Sequence, residues 1–221
     1  MGFIFSRSDE ADNYVFLNKT TFSKKIIMFL FFHINATGRP KKWNTPPSDT
    51  FFWPRLFQIS WQQYNDKGEI QNSADYIIKP QGFEVPIEVE KFTKVTPERA
   101  EEEGVKLEVV LKEFSKLIDE SEYLIAHNIK LAGNVVEAEF IRTNTPSRLM
   151  ASDQYSLMQE ATYFCKIPAR GGTKYKWPSL QDVHMACYNS NFADAYDPSV
   201  YVQALANCFF YLLKKEEIDV F

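Results

Sequence analysis

The stretch FLFFHINATGRP, residues 29–40, opens on an apolar run and closes on a Thr-Gly pair in front of a basic loop. Together with the preceding Lys25-Ile26-Ile27-Met28 it forms a continuous hydrophobic segment bounded by a lysine and by the turn at Gly38. That pattern predicts a central strand covered on both faces. Its only polar side chains before the turn are His33 and Asn35. How these two are read decides how the rest of the chain is read.

The chain has 221 residues, enough for one domain with a substantial core. Apolar residues make up 45% and charged residues 24%, which excludes global disorder. The 19 Phe and 11 Tyr predict bulky aromatic packing. A net charge of −4 carries no global sign of a nucleic-acid partner and leaves only local basic patches. Cys165, Cys187 and Cys208 are odd in number and form no CxxC pair, which argues against a disulfide framework or a zinc site and fits a reducing cytosol. The apolar run from Ile26 to Phe32 is too short to cross a bilayer. It also lies too far into the chain, behind the acidic SDEAD segment, for a secretion signal, so a cytoplasmic protein free of the membrane is expected. On that expectation the sequons Asn18-Lys19-Thr20 and Asn35-Ala36-Thr37 are coincidental.

Residues 1–23 lack a clear period and read as an extension, a strand or partner-binding arm added to a domain spanning 24–221. After the first strand, the Pro- and Ser-rich loop GRPKKWNTPPSDTFFWP is exposed. RLFQISWQQYN alternates and, with the turn at DKG, predicts a hairpin with EIQNSADYIIKP. Thr96-Pro97-Glu98 opens a short helix that Gly104 stops. Leu107, Val110, Leu111, Phe114, Leu117 and Ile118 recur at helical spacing. EYLIAHN is a short strand, and GNVVEAEFIRTN, MQEATYFCKI and SLQDVHMACYN read as helices. A last helix starts at Asp197-Pro198 and carries Val202, Leu205, Ala206, Phe209 and Leu213 on one side. Strands first and helices later predict an α/β domain with mixed strand directions.

In this order the segments resemble the DEDD, or DnaQ-like, 3′–5′ exonucleases of DEDDh type. That resemblance implies a ribonuclease-H-like mixed β-sheet flanked by helices, running from about Ile26 to Leu213. The family opens with Asp-x-Glu-Thr-x-Gly at a strand end, which HINATG matches only in Thr37-Gly38. WPRLFQISWQQYNDKGEI is similar to the family's next strands, and IIKPQGFEVP and KFTKVTPERAEEEGVKLEVVLKEF to the segments beyond. The second motif, His-Asn-x-x-Phe-Asp, is here HNIKLA, with His127-Asn128 kept and Ala132 at the acidic position. MQEATYFCKIP and KYKWPSLQDV continue the likeness. Aligned on Cys208-Phe209-Phe210, the final His-x4-Asp motif falls on Tyr196 and Tyr201.

The family reaction needs carboxylates converging on two divalent ions roughly 3.5–4 Å apart, and a histidine as general base. By the resemblance, His33, Asn35, Ala132, Tyr196 and Tyr201 stand where Asp, Glu, Asp, His and Asp would be. Asn35 offers one neutral oxygen, and His33 a nitrogen suited to softer metals than Mg²⁺ or Mn²⁺. Family hydrolysis and its metal cofactor are therefore not expected. Asp197 would become an acid of the last motif if the register shifted by four, but its place before Pro198 fits a helix cap better.

His127-Asn128 fits the satisfaction of local backbone groups better than a nucleotide contact. His184 has no ligand partner at metal spacing and is expected to be exposed, and a Cys187–His184 nucleophile lacks a third, activating group. ARGGTKYKWP and GRPKKW interleave basic and aromatic residues. Arg170, Lys174 and Lys176 with Tyr175 and Trp177 suit a phosphate track with a stacked base, or else a solvated loop anchored by Trp177-Pro178. The loss of acids from the cleft favours binding, because nucleic acid no longer needs metal ions to enter, provided that Tyr196 and Tyr201 do not fill it. The expectation is an inactive exonuclease-fold module that binds single-stranded DNA or RNA, through Thr37, Gly38, His127 and Asn128 besides the basic loop, or a protein partner. An active exonuclease with relocated ligands and a pure interaction scaffold are the alternatives.

Overall fold

The structure is a computed structural model that describes residues 26–171 and 175–220. The expected N-terminal extension and Lys174 lie outside the described residues. One sheet holds β1 (Met28–Ala36), β2 (Leu56–Asn65), β3 (Ile70–Ile77), β4 (Tyr123–Ala126) and β5 (Asp153–Ser156), in the order 3-2-1-4-5. β1, β2 and β3 pair antiparallel, with Phe31 opposite Gln62 and Ser60 opposite Asp75. β4 joins β1 in parallel through Phe31 and Ile125, and β5 follows parallel to β4. The expected three-stranded start is present. The edge strand β5 was not anticipated, because Asp153-Gln154-Tyr155-Ser156 is short, polar and buried only at Ser156.

Helix α1 (Ile87–Thr93) also escapes the sequence reading, since it buries none of its residues and so carries no apolar period. Helix α2 (Pro97–Glu103) begins as expected, with the Thr96 side chain accepting from Arg99 N, and ends at Gly104. There a Cβ would meet Ala100 O at 2.0 Å and Lys79 Cα at 2.7 Å, so only glycine lets the helix end lie against β3's exit. Helix α3 (Leu107–Glu120) buries the six apolar residues predicted. Helix α4 (Ile129–Arg142) starts four residues before the expected Gly133, because Asn128 caps it by accepting from Leu131 N at 3.1 Å. The single helix expected over MQEATYFCKI is instead two short ones, α5 (Leu157–Glu160) and α6 (Thr162–Cys165), closed by Lys166 in left-handed conformation. Helix α7 (Leu180–Tyr188) has a complete capping box between Ser179 and Asp182. Helix α8 (Pro198–Lys214) starts at the predicted Asp197 cap.

The pleat of β1 divides its side chains between two cores. Leu30, Phe32 and Ile34 pack with Trp61 and with α3 and α4. Phe29 and Phe31 face the other way, onto α7 and α8. Phe209 of α8 meets Phe31 at 5.2 Å and Phe29 at 5.7 Å between ring centroids. The same period of two turns His33 and Asn35 towards α8. Among the described residues no helix is long and apolar enough to cross a membrane.

Candidate functional site

With Phe209 above Phe31, α8 runs back along β1, and Tyr201, about two turns earlier, arrives over His33. The two rings stack with centroids 4.0 Å apart and planes 25° from parallel. The start of α8 is set by Asp197, whose Oδ1 accepts from Ser199 N at 2.9 Å and Val200 N at 3.3 Å. Asp197 therefore acts as the cap its spacing suggested.

Burial lowers the His33 imidazole to about 4, and the neighbouring His127 adds to this against the hydrogen bond of the ring to the Asn35 side chain. Asn35 in turn donates Nδ2 to Gln58 Oε1 at 2.9 Å, which holds its amide in place. His127 lies edge-on to Tyr201 at 6.4 Å and is likewise brought down to about 4, chiefly by burial. Its Nε2 is 3.1 Å from the Pro178 carbonyl, which only accepts, so Nε2 carries the proton. Nδ1 of His127 is buried and has no hydrogen-bond partner among the described residues. Burial raises the Tyr201 phenol. At neutral pH this end of β1 holds imidazole, amide and phenol, all uncharged. Such donors do not suit a hard divalent cation. Among the described residues no group of three or more His, Cys, Asp or Glu side chains is placed to hold a metal ion.

Beside Gln58 lies a cleft of about 220 Å³, lined by Asp75, Phe92, Lys94, Tyr196 and Asp197 among others. Tyr196 is 61% exposed and packs on Phe92 at 5.2 Å, so it sits at this cleft and not on His33. Asp75 is raised to about 6 by partial burial and then by the Asp197 carboxylate, with Gln58 and Arg99 pulling the other way. Of the five expected family positions, the fold thus gathers His33, Asn35 and Tyr201. Ala132, one turn into α4, is buried in the core on the opposite side of β1. Gln58, Asp75 and Phe92 were missed by sequence reasoning, because they come from separate segments and only the sheet register and the α1 turn bring them here.

The expected binding residues divide. Asn128 caps α4 and His127 holds Pro178, both structural duties. Arg170 and Lys176 are exposed, while Tyr175 lies edge-on to Tyr163 at 5.9 Å. Trp177 is 62% exposed, so it does not anchor the loop; buried Pro178 does. His184 is half-buried, not free in solvent: Nδ1 lies 2.6 Å from Ser190 O and the ring packs on Tyr188. Thr37 and Gly38 border a groove of about 530 Å³ shared with Arg39, Lys41, Phe51, Arg55 and Arg142. Arg55 and Arg142 are held there by Glu139, a fully buried carboxylate at 2.8 Å and 2.9 Å that also accepts from Leu56 N.

No known family profile and no curated protein matches the sequence. Solved structures do. E. coli Exonuclease I in complex with a dT13 oligonucleotide is 16% identical with a TM-score of 0.64, over 85% of this chain and 41% of that one. Apo Exonuclease I matches at 15% identity and a TM-score of 0.64, over 85% and 42% of the two chains. An ExoI/SSB-Ct complex matches at 15% and 0.63, over 86% and 42%. The chain spans about two-fifths of the length of these structures. At such identity the likeness is one of fold. The mixed five-stranded sheet flanked by helices is the ribonuclease-H-like fold of exonuclease I, as the sequence resemblance implied.

Proposed function

We propose that this chain is an exonuclease-fold module that does not hydrolyse phosphodiesters by the family mechanism and binds single-stranded nucleic acid. The stacking of Tyr201 on His33 carries this reading, because it puts two neutral rings where a charged, metal-filled site would have to open. Moving Tyr201 aside would expose an imidazole already costly to charge. The chemistry left is recognition by stacking, by hydrogen bonds and by basic side chains around the old cleft. The structurally similar Exonuclease I in complex with an oligonucleotide supports a single-stranded ligand. The complex with SSB-Ct motivates protein partnership as a further property.

A second reading has its own observation: Asp75 and Asp197 lie close enough to raise Asp75. Relocated to them, an active site would have two carboxylates, one of them already committed to capping α8. Labelled single-stranded DNA and RNA incubated with Mg²⁺ or Mn²⁺ separate the two readings. We expect binding without product. Metal-dependent release of mononucleotides, abolished by Asp75→Asn, would overturn the first and establish the second.

A further inference from the structure

We propose that the groove between the end of β1 and helix α4 is where this module holds the phosphate backbone of a single strand, with Phe51 as the platform for one base. The proposal rests on the nucleic-acid reading above and places the contact outside the old cleft, which Tyr201 and the Tyr196–Phe92 pair narrow.

Four cations line the groove, Arg39, Lys41, Arg55 and Arg142, in a protein whose net charge is −4. The carboxylate that touches them is Glu139, which is fully buried and offsets one of its two arginines. Among the described residues Arg39 and Lys41 have no carboxylate partner. The surplus is therefore local and faces solvent, the condition for steering a polyanion. The cations are also held in place. Glu139 fixes Arg55, whose Nη1 donates to Gln81 O at 3.2 Å, and Arg142, whose Nη2 donates to Trp53 O at 2.8 Å and to Thr50 O. Arg142 thereby clamps the 3-10 turn Thr50–Phe52 that presents Phe51. Phe51 is 72% exposed, and Lys41 Nζ lies 3.6 Å from its ring centroid. An exposed aromatic ring beside unpaired cations matches the pairing of stacking and charge by which single strands are bound without base reading. The groove volume of about 530 Å³ falls in the range of ligand sites.

The test is fluorescence anisotropy of the full chain with labelled dT and rU oligonucleotides over a salt series. Arg39, Lys41 and Phe51 are exposed, so their variants are expected to keep the native urea midpoint. The double variant Arg39→Glu/Lys41→Glu should weaken binding more than tenfold and reduce the salt slope by about 2. Phe51→Ala should weaken it by roughly tenfold with the slope unchanged. Lys67→Glu, on the β2–β3 turn, should leave binding as it is. Binding that is lost in Arg170→Glu/Lys176→Glu and untouched in the groove variants overturns the groove while leaving the module's nucleic-acid reading intact. Equal retention of heparin and oligonucleotide, with no effect of Phe51→Ala, overturns the base platform. Wild-type protein that binds neither oligonucleotide overturns the nucleic-acid reading itself.

Discussion

Acidification is the perturbation to which the candidate site is most exposed. His33 and His127 titrate near 6.5 in an unfolded chain and are brought down to about 4 in the fold, both chiefly by burial. A folded pKa below the unfolded one means that the native state binds fewer protons. The stabilisation is therefore complete above about pH 6.5 and is lost as the pH falls towards 4. Between pH 7 and pH 5 each imidazole would withdraw at most about 2 kcal/mol, from a slope of about 1.4 kcal/mol per pH unit per excluded proton. His33 is half-buried, and halving the figure for residual solvent access gives about 1 kcal/mol for each. Asp75, raised to about 6, works in the opposite sense over the same range, so the wild-type curve alone is not decisive. The decisive quantity is the difference between wild type and His33→Phe, which keeps a ring beneath Tyr201 and removes the titration. Urea unfolding followed by Trp fluorescence at pH 7, 6 and 5 should show the wild type losing about 1 kcal/mol more than the variant. An identical pH slope in the two proteins, or a His33 ring proton titrating above pH 6 by NMR, would refute the burial argument.

Three further outcomes follow from the same geometry. Glu139→Gln leaves Arg55 and Arg142 without their shared buried counter-charge and should cost about 3 kcal/mol in urea unfolding; a loss below about 1 kcal/mol would mean that solvent reaches the pair. Asp197→Ala should cost about 1 kcal/mol through the lost cap of α8 and leave any metal-dependent signal unchanged, whereas loss of Mn²⁺ binding by isothermal titration would mark Asp197 as a ligand. Asp75→Asn should raise the urea midpoint at pH 8 and have no effect at pH 4, since the ionised carboxylate is disfavoured above about pH 6 and neutral below; a destabilised variant at pH 8 would place a favourable partner beside Asp75.

Legibility followed the physics of each element. β1 was readable as a continuous apolar run ending at a turn, β2 from the alternation of its apolar and polar residues, and α3 and α8 because their buried residues recur at helical spacing along one segment. α1 and β5 were not, because one buries nothing and the other is held by pairing with β4. The early start of α4 went unseen because its signal is a single cap, Asn128, ahead of any apolar repeat. In the site, His33, Asn35 and Tyr201 were found by alignment to motifs, while Tyr196 was placed with them and in fact lies against Phe92. The short loop before α8 decides that, and loop paths carry no period.

By itself, then, the amino-acid order carried the resemblance that implied the ribonuclease-H-like fold, and it marked the Asp197 cap of α8, because motif and cap residues are matters of side-chain type at set places along the chain. Only the tertiary structure decided that Tyr201 covers His33, and that Glu139 gathers Arg55 and Arg142 beside Phe51. Those contacts join residues from different strands and helices, and their energies depend on burial, which no local pattern encodes.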